Sequence, residues 1–540
     1  MNKIIFICDF FLEHIVGGGE LSDNELINIL TAKNHDVKKI QSHLVTENFL
    51  DDHSDCFFIV GNFINLPYVC KRKLTNLEYI IYEHDHKYLK SRNPANYRNF
   101  KAPIRDIINY SFYKNAKKVL CQSKFHKEIM TLNLDLDNIE SVGGNLWSIE
   151  TLSHLAELSS GDKVDKCSIM KSSTGHKNTS GAVQYCESKK LEYELIQDGD
   201  YFSFLEKLSK NRRLVFLPKT PETLSRVVVE ARMMGVSVIT NSLVGASSEP
   251  WFKMKGEELI EYMVKKREEI TSLVELIIDA PKVKKEKPLI SIIGTFYKGE
   301  KFLEGYLQDL VEQTIFDKCE VVLVDTGSPG REKEIIEKYS SKYSNIKYYR
   351  YDERLRPTVG FNLAIKKSSA DLISWAFLDD RRRHDCLEVL YGELKDNNNI
   401  DLVYGDSLLT DVENERFDET KSKRLAEHSS FEFSKENMIK CLPGIVPLWR
   451  RKIHENNGFF DQDGCNFADD WEMWLRAVDS GSVFKKVNEV VGLCLEGGRS
   501  QQKDNLEQRK EEAGIFFKYA HLFGHNYQKY RQYFQQFLGT

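Results

Sequence analysis

Residues 289–330, LISIIGTFYKGEKFLEGYLQDLVEQTIFDKCEVVLVDTGSPG, open on an apolar run, pass through a polar loop, and continue as a helical pattern from about Glu300 to Gln313. A second apolar run, EVVLVD, then ends on Asp325. Short apolar runs bounded by turn residues read as buried strands, and strand–helix–strand order is the unit of an α/β fold. Ligands of open α/β sheets bind beyond the carboxyl ends of the strands. A carboxylate at Asp325 would there accept hydrogen bonds from a nucleobase edge or a ribose hydroxyl. The plainer alternative is an Asp that closes a strand as a turn former.

Further along, DLISWAFLDDRRRHDCLEVL (371–390) runs an apolar strand directly into Asp379-Asp380. Adjacent carboxylates at a strand end need solvent or a counter-charge, and a divalent cation such as Mn²⁺ or Mg²⁺ is the common neutraliser. Bridging a diphosphate, such an ion stabilises it as a leaving group. The neighbouring Arg381-Arg382-Arg383 either holds diphosphate directly or is a solvated basic turn. In NFADDWEMWLRAVDSG (466–481), Asp469 and Asp470 precede a helix with Trp471, Trp474 and Leu475 on its apolar side. Carboxylates there serve as caps, or one of them takes a proton from an acceptor hydroxyl.

Taken in order, ISIIGTFYKGEKFL, VVLVDTGS, ISWAFLDDR and ADDWEMWLR resemble the family 2 glycosyltransferases of the GT-A fold over roughly residues 287–500. The resemblance implies an inverting transfer from a nucleotide-diphospho-sugar. It places Thr295 and Asp325 at the nucleotide, Asp379 and Asp380 at the metal, Arg381 near the diphosphate, and Asp470 as catalytic base, with Asp469 and Trp471 on the acceptor side. Two departures stand out. Phe377 and Leu378 occupy positions where relatives often carry an earlier Asp, so either Asp379 or Asp380 is the metal ligand. Where relatives often show a His, LCLEGGRSQQ (493–502) offers only Glu496 and Arg499.

The N-terminal half starts with the strand IIFICD (3–8), a glycine run VGGGE (16–20) and a helix pattern. Further strands are expected at 56–61, 78–83 and 118–123, then, after SVGGNLWS (141–148), at 167–170, 193–197, 213–218 and 236–241. Two Rossmann-like lobes facing a cleft are the expected result. In PETLSRVVVEARMMGVSVITN (221–241), Glu222 and Glu230 fall about 80° apart on a helix, unless Glu222 lies in the preceding turn. These residues, with GGGE, EHDHKYL (83–89), CQSKFHKEIM (121–130) and SVGGN (141–145), look like family 4 glycosyltransferases of the GT-B fold. That likeness implies Gly18 and Gly19 in a diphosphate or acceptor loop, His84 on the acceptor side, and Lys177 on diphosphate. It also implies Glu222 as a catalytic residue and Glu230 on the donor ribose. Thr223-Leu224-Ser225 replaces the usual Gly-rich stretch.

The expected fold class is therefore α/β throughout: a GT-B-like pair of lobes fused to a GT-A domain. The boundaries are an acceptor lobe over 1–148, a donor lobe over 149–279, a linker over 280–288, a transferase domain over 289–502 and an aromatic helical tail over 503–540. The tail pattern is that of a helical hairpin with one buried face. Docking on the rest of the chain is the plain reading of that face, with peripheral membrane contact or dimerisation as alternatives. The expected function is two-module sugar transfer onto a glycan, glycolipid or glycoprotein acceptor. The alternatives are one active GT-A module with a binding or scaffold half and, less favoured, glycosylation of modified nucleic acid bases.

Composition agrees with this reading. The 540 residues carry 76 Lys+Arg against 81 Asp+Glu, a net charge of −5, which offers no global attraction to a polyanion and weakens nucleic acid as a partner. Eleven scattered cysteines without a C-x-x-C pair read as reduced thiols in a cytoplasmic setting. No apolar stretch reaches the roughly 18 residues of a membrane span, and the N-terminus, broken by Asp9, Glu13 and His14, reads as a first strand rather than a signal peptide.

Overall fold

The computed structural model describes residues 1–197, 199–281, 287–375, 377–497 and 505–538. Most of the expected linker, 282–286, lies outside them, as does Arg499. The chain forms two compact units: Met1–Ala102 with Asn109–Lys284, and Pro103–Ile108 with Lys285–Thr540.

The first unit holds two parallel sheets. Strands β1 (Lys3–Cys8), β2 (Asp36–Gln41), β3 (Phe57–Val60), β4 (Glu78–Glu83), β5 (Val119–Cys121) and β6 (Ile139–Ser141) are arranged in the order β2-β1-β3-β4-β5-β6. Strands β7 (Val164–Met170), β8 (Tyr193–Ile196), β9 (Asn211–Phe216) and β10 (Ser237–Thr240) follow as β10-β9-β7-β8. The apolar runs of β1, β3 and β4 are buried on both faces, as parallel strands covered by helices must be. Helix α1 (Gly18–Ala32) follows β1, and α2 (Arg226–Met233) lies between β9 and β10. The 23-residue helix α3 (Glu257–Asp279) buries Leu259, Ile260 and Met263 in the core of the second sheet. Its far end buries Ile270, Val274, Ile277 and Ile278 in the core of the first.

The glycine run opens a helix, as expected: Gly17 is the N-cap and Gly18 and Gly19 are the first helical residues. Helix α2 starts at Arg226, after Ser225 with φ of 74°, so of the two placements open to Glu222 it takes the one ahead of the helix, in a parallel bridge to Val244.

The second unit is built on one eight-stranded sheet, in the order β13-β12-β11-β14-β17-β16-β18-β15. Its strands are β11 (Ile290–Phe296), β12 (Cys319–Thr326), β13 (Ile346–Tyr351), β14 (Leu372–Trp375), β15 (Arg381–Arg382), β16 (Leu402–Thr410), β17 (Leu448–Arg450) and β18 (Phe484–Leu495). The first four are parallel; β17 runs antiparallel to β14 and β16. Helix α4 (Glu300–Val311) crosses from β11 to β12 and buries Leu303, Tyr306, Leu307 and Leu310 against Ile292, Val321 and Leu323. Helix α5 (Pro357–Lys367) starts with Pro at a position where its missing N–H costs nothing. Helices α6 (Asp469–Asp479), α7 (Leu506–Lys518) and α8 (Gly524–Gln535) complete the unit. Trp474 of α6 packs 5.5 Å from Trp375 at the end of β14 and 5.3 Å from Trp449 of β17, which ties the start of α6 to the carboxyl end of the parallel strands. Among the described residues no helix is long and apolar enough to cross a membrane.

Candidate active site

At the carboxyl ends of β11 and β12 a cavity of 310 Å³ is lined by Thr295, Phe296, Tyr297, Thr326, Arg354 and Arg356, among others. Asp325 sits behind it, fully buried. It accepts hydrogen bonds from Ser328 N–H (2.8 Å), the Tyr348 hydroxyl (2.7 Å) and Arg350 (2.7 Å). Its carboxylate is thus held by its own turn and by two side chains of the neighbouring strand β13. Thr295 Oγ1 is buried without a hydrogen-bond partner and lies against Gly360 of α5, where an added Cβ would come within 2.0 Å of it. The Arg354 guanidinium lies 4.6 Å from the Tyr297 ring centroid.

Arg354 and Arg356 are functional candidates that sequence reasoning missed. Their signal is DERLRPTVG, two arginines immediately ahead of a proline-started helix, where cationic side chains and helix N–H groups together favour an anion.

Helix α5 links this cavity to the carboxylates of α6. Arg356 reaches the Asn466 side chain and the Gln462 carbonyl, and the Thr358 hydroxyl hydrogen-bonds Asp469. Asp470 accepts from Trp471 N–H at 2.7 Å and from the Cys441 thiol at 3.4 Å. Burial raises the proton affinity of both carboxyls; the charge of Asp470 adds to the effect at Asp469, and that of Glu511 adds at both. Such a pair near a helix N-terminus can accept a proton at neutral pH while one member remains ionised.

Trp471 does not face a ligand. It is buried, its indole N–H donates to the Met438 carbonyl at 2.7 Å, and its ring packs against Phe523 and Phe534. An aromatic residue one position past the carboxylates points to the opposite side of the first turn, so it fastens the tail instead of an acceptor.

The Asp379-Asp380 loop approaches α5 through Phe377, whose ring centroid is 5.8 Å from that of Phe361. Asp380 accepts the Leu495 N–H at 3.0 Å; burial, reinforced by the charge of Asp379, pushes its carboxyl up to about 7. Two adjacent hard oxygen donors short of positive charge suit Mn²⁺ or Mg²⁺. Among the described residues no group of three or more His, Cys, Asp or Glu forms a metal cluster. Arg381 turns inward. Its guanidinium donates to the carbonyls of Leu378 (2.8 Å) and Asp380 (2.7 Å) and to Asn414 Oδ1 (2.7 Å), which braces the loop and leaves Arg354 and Arg356 as the cations at the cavity.

The first unit has a cleft of 560 Å³ lined by residues that include His84, Asp85, Arg92, His176, Lys177 and Glu222. Lys177 Nζ lies 2.9 Å from both oxygens of Glu222. His84 uses both ring nitrogens, 2.6 Å from Asp23 Oδ1 and 2.9 Å from the Gln122 amide. Glu230 does not line the cleft. It is 2% exposed and bonds the Trp147 indole (2.9 Å), the Tyr201 hydroxyl (2.6 Å) and Arg226 (3.1 Å). Protein side chains lie close to the glycines: a Cβ at Gly18 would sit 3.2 Å from Arg226 Cδ, and one at Gly19 would make ordinary contact with the His84 ring at 3.5 Å.

Residues 291–452 match the family described as glycosyl transferase family 2. A cholesterol galactosyltransferase of Borreliella burgdorferi is 31% identical over 109 residues, 20% of this chain and 30% of that protein. Glycosyltransferase AglE of Haloferax volcanii is 26% identical over 211 residues, 38% of this chain and 66% of that one. The chain thus spans less than two thirds of each. Among solved structures, S. aureus TarS 1–349 in complex with UDP-GlcNAc is similar at a TM-score of 0.36 and 19% identity, over 43% of this chain and 69% of that one.

Proposed function

We propose that the second unit transfers a sugar from a nucleotide-diphospho-sugar to a hydroxyl of a glycan, glycolipid or glycoprotein acceptor, with inversion by direct displacement. The observation that carries this reading is the shared helix α5, which sets Arg356 at the cavity and, two residues on, places the Thr358 hydroxyl on Asp469 at the start of α6. In it, Thr295 and the backbone beside Asp325 receive the nucleotide, and Arg354 and Arg356 face the diphosphate. Asp470 takes the proton of the incoming hydroxyl, and Asp469 orients that hydroxyl. Mn²⁺ or Mg²⁺ held by Asp379, Asp380 or both would offset the charge that develops on the departing diphosphate. The buried thiols favour a cytoplasmic setting, and a lipid-borne acceptor at the inner membrane face is in keeping with the cholesterol-directed relative.

For the first unit we favour a GT-B-like binding half over a second transferase. The sealing of Glu230 by Trp147, Tyr201 and Arg226 supports a cleft that retains His84, Lys177 and Glu222 for an acceptor but has no room for a donor ribose at the expected position.

The test is nucleotide release from a panel of UDP- and GDP-sugars by the full-length chain, with Mn²⁺, Mg²⁺ or chelator. Asp470→Asn should lower turnover about 10²- to 10⁴-fold, the range of a lost general base, while donor-induced thermal stabilisation persists. Turnover unchanged in Asp470→Asn would overturn the assignment.

A further inference from the structure

The helical tail does more than cover an apolar face. Glu511, in the middle of α7, accepts three consecutive backbone N–H groups from the loop that leads into α6: Asn466 on one carboxylate oxygen at 2.7 Å, and Phe467 (2.9 Å) and Ala468 (2.8 Å) on the other. Helix α6 has no side-chain cap of its own at Ala468, so a carboxylate from another helix performs that duty at its positive end. A second carboxylate fixes the middle of the same helix. Glu472 accepts from Lys518 and from the Tyr519 hydroxyl, both at 2.8 Å, and from Arg476 at 2.9 Å. Trp471 completes the attachment by packing on Phe523 and Phe534.

We propose that Glu511 is a positioning residue for the Asp469–Asp470 pair, and that helix α7 is therefore a working part of the transfer site. This rests on the assignment of that pair made above. The loop it clamps contributes the three positions immediately before Asp469, so a shift of the loop displaces the carboxylates by about the same distance. A displacement on the order of 1 Å at a catalytic group costs roughly 100-fold in rate.

Glu511 also adds negative charge beside the pair, in the same sense as their burial. The other titratable or charged groups facing this region are Cys441 from the preceding loop, Arg356 at the start of α5, Cys465, and Glu472 on α6 with its partners Arg476 and Lys518.

The experiment compares full-length wild type with Glu511→Gln and Glu512→Gln. Glu512 lies on the same helix but bonds Arg509 and Gln508. Hydrogen–deuterium exchange of the peptide covering 466–475 reads the clamp without reference to activity. Nucleotide release reads its consequence. Glu511→Gln should speed exchange in that peptide at least tenfold and lower kcat about 10- to 100-fold. Donor KM should stay within twofold, and the acid limb of the kcat profile should move to lower pH. Glu512→Gln should leave all four within twofold. Faster exchange with unchanged kcat would overturn the positioning role, and unchanged exchange would overturn the clamp itself. A wild type inactive on every donor would refute the reading of the site, leaving the clamp to be decided by exchange alone.

Discussion

His454 makes the second unit sensitive to mild acid. It is 2% exposed, the Trp449 indole N–H donates to its Nε2 at 3.0 Å, and its Nδ1 lies 3.2 Å from the Gly458 carbonyl. The ring is therefore held neutral, with the proton on Nδ1. A second proton would have to enter at Nε2, directly facing another N–H. Burial pushes its pKa down to about 3, against roughly 6.5 in an unfolded chain. The unfolded state takes up a proton below pH 6.5 while the folded state does not. Stability is therefore complete above that value and falls as pH drops from 6.5 toward 3, by about 1.4 kcal/mol for each pH unit. At pH 5 the loss from His454 alone is about 2 kcal/mol. His428, also pushed down by burial, to about 4, acts in the same direction. Urea unfolding followed by tryptophan fluorescence at pH 7.5 and pH 5.0 measures this loss. His454→Phe should be less stable at pH 7.5 by about 1–3 kcal/mol, because the buried Trp449 N–H loses its acceptor. Its further loss on going to pH 5.0 should be smaller than that of wild type by about 2 kcal/mol. An equal pH-dependent loss in the two proteins would refute the reasoning.

Two other substitutions separate packing from chemistry. Gly360→Ala should lower donor affinity tenfold or more and destabilise by about 1–3 kcal/mol, since its Cβ would collide with Thr295 Oγ1; titration of donor nucleotide by calorimetry measures the first effect, and unchanged affinity would show that this oxygen lies outside the site. Glu230→Ala leaves Arg226 buried without its carboxylate and should destabilise the first unit by roughly 3–5 kcal/mol, seen as an earlier thermal transition, with nucleotide release at 20 °C unchanged. Loss of release at full folding would instead restore the first unit as a transferase.

Much of this protein was legible in its amino-acid order. The apolar runs at 3–8 and 290–296, the helix that follows each, and the carboxylates placed at strand and helix ends are local facts, because the period of burial is written into neighbouring residues. Three of the four motifs that carried the resemblance lie within or at the edge of residues 291–452, which match glycosyl transferase family 2. What lay beyond reach were choices among partners far apart in the chain. Whether Glu230 meets a ribose or Arg226 depended on Trp147 and Tyr201, 83 and 29 residues away. Arg381 had equal local reason to face a diphosphate, and Asn414, 33 residues on, drew it inward. Glu511 was one more glutamate in a helical pattern until the fold brought three backbone N–H groups to it, 43 to 45 residues back along the chain. The reason is general: propensity and periodicity act within a few residues, whereas the cost of burying a polar group is met only by whichever partner the tertiary fold delivers.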